Sequence, residues 1–215
     1  MTTSEVRSLP TGPRPGQPGA GTPETERPVA LTPATFSRAV ATMTAAAVRP
    51  GVRVEPVRPP QRLAPWSHAV AAEVPAGRAG EMAATGRLVL LHDPEGHEAW
   101  NGTLRLVAFA TAELDDAMSI DPMLPEVGWS WLTDALGDRE AAFTAAGGTI
   151  THTLSSRFGD LAGPANTSSI ELRASWTALD DDLGPHLQAF VDVLAAAAGL
   201  PPEGVAVLGS TRRRS

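Results

Sequence analysis

Cysteine, lysine and tyrosine are all missing from this chain. Without cysteine there is no disulfide and no thiolate metal site. Without lysine there is no Schiff-base amine and no phosphate-loop lysine. All 17 basic residues are arginine. Alanine, arginine, glycine and proline are abundant, a pattern that resembles GC-rich codon usage. Long apolar runs are absent too. No stretch reaches the roughly 18–20 residues that a membrane span needs, and residues 1–30 hold no apolar core of a secretory signal. The expectation is a cytoplasmic protein with no membrane partner.

What is present is the composition of a globular protein. The 215 residues are 42% hydrophobic and 19% charged, which suits one domain with tails. The net charge of −7 is uneven. Residues 1–30 balance three arginines against three glutamates, and Arg212, Arg213 and Arg214 add +3, so the body between them carries −10. An acidic body repels phosphate backbones, which argues against nucleic acid as a partner.

Residues 1–30 contain Pro10, Pro13, Pro15, Pro18, Pro23 and Pro28 among glycines, and are expected to be a disordered tail. A single domain is expected over 31–210, and a basic tail over 211–215. The first helix is predicted at 33–48, with Thr32 as N-cap, Pro33 at N1, and an apolar face of Phe36, Val40, Met43, Ala47 and Val48. Residues 52–57 read as an edge strand at best, given Pro56. Residues 66–74 alternate as a strand. Residues 86–113 read as a hairpin turning at Asp93-Pro94-Glu95-Gly96, with 88–91 apolar on both faces. A short helical turn is expected over 114–119.

The second helix is predicted at 125–136, strands at 149–158 and 169–178 with one wet and one dry face each, and a last helix at 184–198. Gly199 and Leu200 suit a Schellman end to that helix. A short strand at 205–208 is a further expectation. The fold class is α+β. One mostly antiparallel sheet of about five strands packs with three helices, in the order α-β-β-β-α-β-β-α, with a doubtful extra edge strand.

The strings at 64–74, 86–114, 124–136, 147–164, 170–183 and 198–208, among them GRLVLLHDPEGHEAWNGTLRLVAFATAEL and LPEVGWSWLTDAL, resemble an actinobacterial family of uncharacterised proteins, domain of unknown function family three thousand. The resemblance covers about 33–210 and implies no catalytic residue. The element order is also similar to the type III secretion chaperone-like fold, whose small dimers bind partner segments. That likeness is one of topology alone.

The 92–98 loop, His92-Asp93-Pro94-Glu95-Gly96-His97-Glu98, is the most chemical-looking string, but its spacing matches no metal motif and a turn explains it. His152 reads as a hydrogen-bonded core histidine, His68 likewise, and His186 as paired locally with aspartates. No nucleophile elbow or phosphate loop is present. Neither a cofactor nor a metal is expected.

Trp66, Trp131 and Trp176 fit inward positions, each removing about 150–250 Å² from water. Trp129 points to another side of its helix than Trp131 and is the candidate contact residue. With Asp115, Asp116, Asp134 and Asp138 it forms the expected docking face for a protein partner with a basic surface. Arg157, Asp160 and Arg173 are the candidate ligand-binding residues beside the wet sheet face. The leading expectation is a non-enzymatic, adaptor- or chaperone-like binding domain that forms a homodimer. The alternative is a small-molecule binder or enzyme using the polar sheet face or the 92–98 loop.

Overall fold

Alternating apolar residues in four long segments build one antiparallel sheet, and the computed structural model describes residues 32–76, 82–114, 118–161 and 167–203. Among these the strands are β1 (Arg53–Pro56), β2 (Trp66–Pro75), β3 (Met82–His97), β4 (Gly102–Leu114), β5 (Phe143–Ser155) and β6 (Thr167–Ala178). The helices are α1 (Ala34–Ala45), α2 (Leu124–Asp138) and α3 (Gly184–Ala197). The spatial order is β1-β2-β3-β4-β6-β5, antiparallel throughout.

The sheet therefore has six strands, not five. The doubtful edge strand is real: β1 pairs only with β2, and an edge strand tolerates Pro56 because only one row of its backbone groups need be paired. The expected 205–208 strand lies outside the described residues.

One sheet face carries the helices and the main core. Leu88, Leu90, Leu106, Ile170, Leu172 and Trp176 meet Phe36 and Met43 of α1, Leu132 and Leu136 of α2, and the inner stripe of α3. The Schellman end of α3 forms as its glycine suggests. Gly199 takes a φ of 69°, and the Leu200 N–H donates to the Ala195 carbonyl at 2.8 Å. Helix α1 starts one residue later than expected, with Pro33 at the N-cap, and ends at Ala45, which leaves Ala47 and Val48 exposed.

The 88–91 run is buried on both faces, as its composition requires. Behind the sheet, Ala69, Val89 and Leu91 form a second, small core with Val57, Ala64, Trp100 and Val107. The segment after β1 crosses this face, tied by Val57 N–H to the Ala69 carbonyl (2.9 Å) and Arg87 to the Arg58 carbonyl (3.2 Å). Over β5 and β6 the same face is uncovered by the described residues, except at Thr177, which is buried and bonded to Arg105 and the Trp100 carbonyl.

The hairpin does not turn at 93–96. Strand β3 continues to His97, and the reversal uses the 3-10 turn Glu98–Trp100 followed by Asn101 in the left-handed region (φ 56°). Asp93 Oδ1 accepts from the Glu95 N–H, and the pairing register shifts between His92 and His97. The Asp-Pro-Glu-Gly signal thus makes an irregularity in a strand rather than its end.

Gly86 faces the helices, where an added Cβ would lie 2.8 Å from Phe190 Cζ and 2.8 Å from the Phe109 carbonyl oxygen. Gly86→Ala is expected to cost about 1–3 kcal/mol by overpacking. A thermal melt within error of the wild type would contradict this packing.

Candidate functional site

The second helix presents two different flanks. Leu124, Gly128, Leu132, Ala135 and Leu136 face the core. Trp131, Asp134 and Asp138 follow one another at i, i+3 and i+7, so they form one stripe. That stripe borders a groove of about 430 Å³ between α2, α3 and residues 200–203. Trp131 is half-buried, and Asp134 and Asp138 are exposed. Neither carboxylate has an ion-pair or hydrogen-bond partner among the described residues.

The other charges in the groove are committed to each other. Arg139 grips Asp192 through Nε (2.7 Å) and Nη2 (3.1 Å) and also reaches Glu203 (3.0 Å). The Asp192 hydrogen bond, more than any other influence, raises the Arg139 pKa above its ordinary value. Arg49 donates to the Pro201 carbonyl at 2.7 Å and lies 3.9 Å from Asp192. This network joins residues 53 apart and more, and no local spacing signals it. It was not legible in the sequence.

Trp129 is not part of this groove. It lies on the opposite flank, half-buried, with its Cζ3 3.0 Å from where a Gly148 Cβ would stand on β5. The aromatic residue that accompanies Asp134 and Asp138 is Trp131. Asp115 and Asp116 lie outside the described residues.

The bare sheet face separates Arg173 from Arg157 and Asp160. Arg173 pairs with Glu171 at 2.6 Å, which raises its pKa, and its guanidinium sits 5.3 Å from the centre of the Phe109 ring. Arg157 and Asp160 are exposed and follow β5. Thr149 is opposite Arg173 and Ser155 opposite Thr167, so the strand separates Arg173 from the end of β5 by roughly 20 Å. Arg105 spends its donors on the Ala145 carbonyl (2.9 Å), Thr177 Oγ1 (3.0 Å) and Ser175 Oγ (2.6 Å). Burial lowers its pKa.

The histidines are dispersed. His92 is buried, its Nδ1 3.0 Å from the Thr103 carbonyl and its ring stacked near Phe36. His97 is exposed, accepts from the Ala99 N–H and stacks on Trp100 at 5.1 Å. The two rings do not converge. His152 Nε2 is 2.8 Å from Ser168 Oγ. His186 is not paired with aspartate. It is fully buried, and its Nδ1 accepts from Trp176 Nε1–H at 3.0 Å. Burial pushes its pKa down to about 4, against a smaller upward pull from Asp180 and Asp182. Among the described residues no group of three or more histidine or acidic side chains is placed to hold a metal, and no helix is long and apolar enough to cross a membrane.

Fold and groove together define an α+β domain with three helices on one face of a six-stranded antiparallel sheet and an acidic furrow between two of those helices. The chain belongs to the family described as protein of unknown function (DUF3000), whose family model matches residues 32–206. No curated protein and no solved structure matches it.

Proposed function

We propose that this domain is a non-enzymatic, adaptor-like protein that docks a basic segment of a partner in the α2–α3 groove. The observation that carries the reading is the stripe of Trp131, Asp134 and Asp138 along a groove of about 430 Å³, with both carboxylates uncommitted among the described residues. An arginine or lysine side chain finds there an aromatic ring for a cation–π contact and two carboxylates for charge-assisted hydrogen bonds. The body's charge of −10 favours encounter with a basic partner. Arg139, held by Asp192 and Glu203, keeps its charge occupied and does not oppose an incoming cation at full strength.

A ligand at the bare sheet face has less support. Arg105 is engaged in three hydrogen bonds, Arg173 is paired with Glu171, and Arg157 and Asp160 lie far along the strand.

An arginine-rich peptide with a fluorescent label is a direct probe. Binding measured by anisotropy is expected to weaken as salt rises. The pair D134R and D138R, made together, is expected to weaken it about tenfold or more, which corresponds to about 1.4 kcal/mol. The pair E95R and E98R changes net charge equally at exposed positions outside the groove and is expected to weaken it less than about threefold. Equal losses in both variants, or none in either, would sink the groove assignment.

A further inference from the structure

The two edges of the sheet are treated differently by the sequence. Edge β1 has four residues and carries Arg53, Glu55 and Pro56, the charges and proline that discourage edge-to-edge pairing. Edge β5 has thirteen residues, FTAAGGTITHTLS, with no charge and no proline. Strand β6 covers only one of its sides. A body of charge −10 repels its own copy, and this edge is the long strip where a copy would meet no charge.

The regular part of β5 is symmetric about its middle. Its pairing with β6 shifts between Thr144 and Gly147, where Ala145 takes a φ of 49°, and then runs unbroken over 147–155. The centre of that stretch is Thr151. We propose that β5 pairs antiparallel with β5 of a second copy about a two-fold axis at Thr151, joining the two sheets into one.

In this register Thr151 faces its own counterpart and Thr149 faces Thr153, giving the threonine pairs that suit a sheet face. On the helix side Ile150 faces His152, and Gly148 faces Leu154. Leu154 is 59% exposed in the single chain. Gly148 has no side chain, and the Trp129 ring lies beside it. The leucine of one copy therefore lies beside the glycine of the other, against the edge of the Trp129 ring that already covers it. Trp129 becomes a partner contact, with a second copy of this chain and not with the basic segment. The nine paired residues span about 30 Å and supply roughly eight to ten ladder hydrogen bonds.

The pairing does not depend on the α2–α3 groove, and salt separates the two. Salt weakens the docking of a basic segment, whereas it screens the repulsion between like-charged copies and strengthens the pairing. Sedimentation equilibrium of the full chain is expected to give twice the monomer mass, more completely at high salt. T151R places two like charges face to face on the axis and is expected to return the monomer mass with an unchanged circular dichroism spectrum, since Thr151 is exposed.

The register is tested by cross-linking, because the chain has no cysteine of its own. Facing Cα atoms lie about 4.5–5.5 Å apart in an antiparallel pair, within the range of about 4.4–6.8 Å for a disulfide. T151C is therefore expected to form a covalent dimer on mild oxidation. T149C, about 13 Å from its counterpart in this register, is expected to stay uncross-linked. A monomer at every concentration overturns the proposal, as does a dimer that survives T151R. Equal cross-linking of T149C and T151C overturns the register.

Discussion

Replacing Trp176 by alanine is expected to destabilise the fold by about 3–5 kcal/mol, the range for emptying a buried aromatic position. Trp176 is fully buried on β6, opposite Leu106 of β4, in the main core beneath the helices. Its removal forfeits the transfer of an indole from water and leaves a cavity that strands on both sides cannot close. It also strips His186 of its hydrogen-bond donor. Trp176→Phe keeps most of the volume but leaves His186 Nδ1 without a partner, so a loss of about 1–3 kcal/mol is expected. Urea unfolding at neutral pH, with the same slope for all variants, measures both. A loss below about 1 kcal/mol for the alanine variant would contradict the core described here.

The second large effect is a loss of stability in acid that belongs to one residue. The His186 ring is neutral in the fold, because Nδ1 must be unprotonated to accept from Trp176. Its Nε2 is then the protonated nitrogen, buried with no partner among the described residues. Its pKa is about 4 in the folded chain against 6.5 for the free side chain. The unfolded chain therefore binds a proton at a higher pH than the folded one. Stability from this group is fully present above about pH 6.5 and falls away as pH drops toward 4. The difference amounts to about 3 kcal/mol over that window. His186→Gln retains an oxygen that can accept from Trp176 and cannot titrate. The variant is expected to lose the part of the pH slope between 6.5 and 4 that the wild type shows. Parallel curves for both proteins would remove His186 as the cause.

The elements themselves were largely legible. Period-2 alternation gave β2 and β6, and the 3.6-residue stripes gave α2 and α3, to within a few residues, because local burial pattern is what these elements are made of. Strand β5 instead starts six residues earlier than expected and ends at Ser155, and Leu154 and Phe158 of its expected dry face are exposed, because the strand lies at the sheet edge. Gly199 and Leu200 announced a helix end through the positive φ that only the glycine adopts readily. Turn chemistry was misleading at Asp93-Pro94-Glu95-Gly96. There, continued pairing outweighed a local turn preference and moved the reversal to 98–101.

The site was less legible, and the reason is geometric. On one helix, Trp129 and Trp131 are two residues apart, so the sequence determined that they face different sides but not which side held a groove. Helical spacing alone puts Trp131, Asp134 and Asp138 on one stripe, but only tertiary packing set that stripe beside a groove and Trp129 over Gly148 at the edge of the sheet. The link from Arg139 to Asp192 and the bond from Trp176 to His186 join elements through space. Composition and periodicity determined an acidic α+β protein with one half-covered sheet. Which charges were spent on one another, which histidines were buried, and which edge was left unpaired among the described residues were decided by tertiary structure, because partners distant in the chain leave no local pattern.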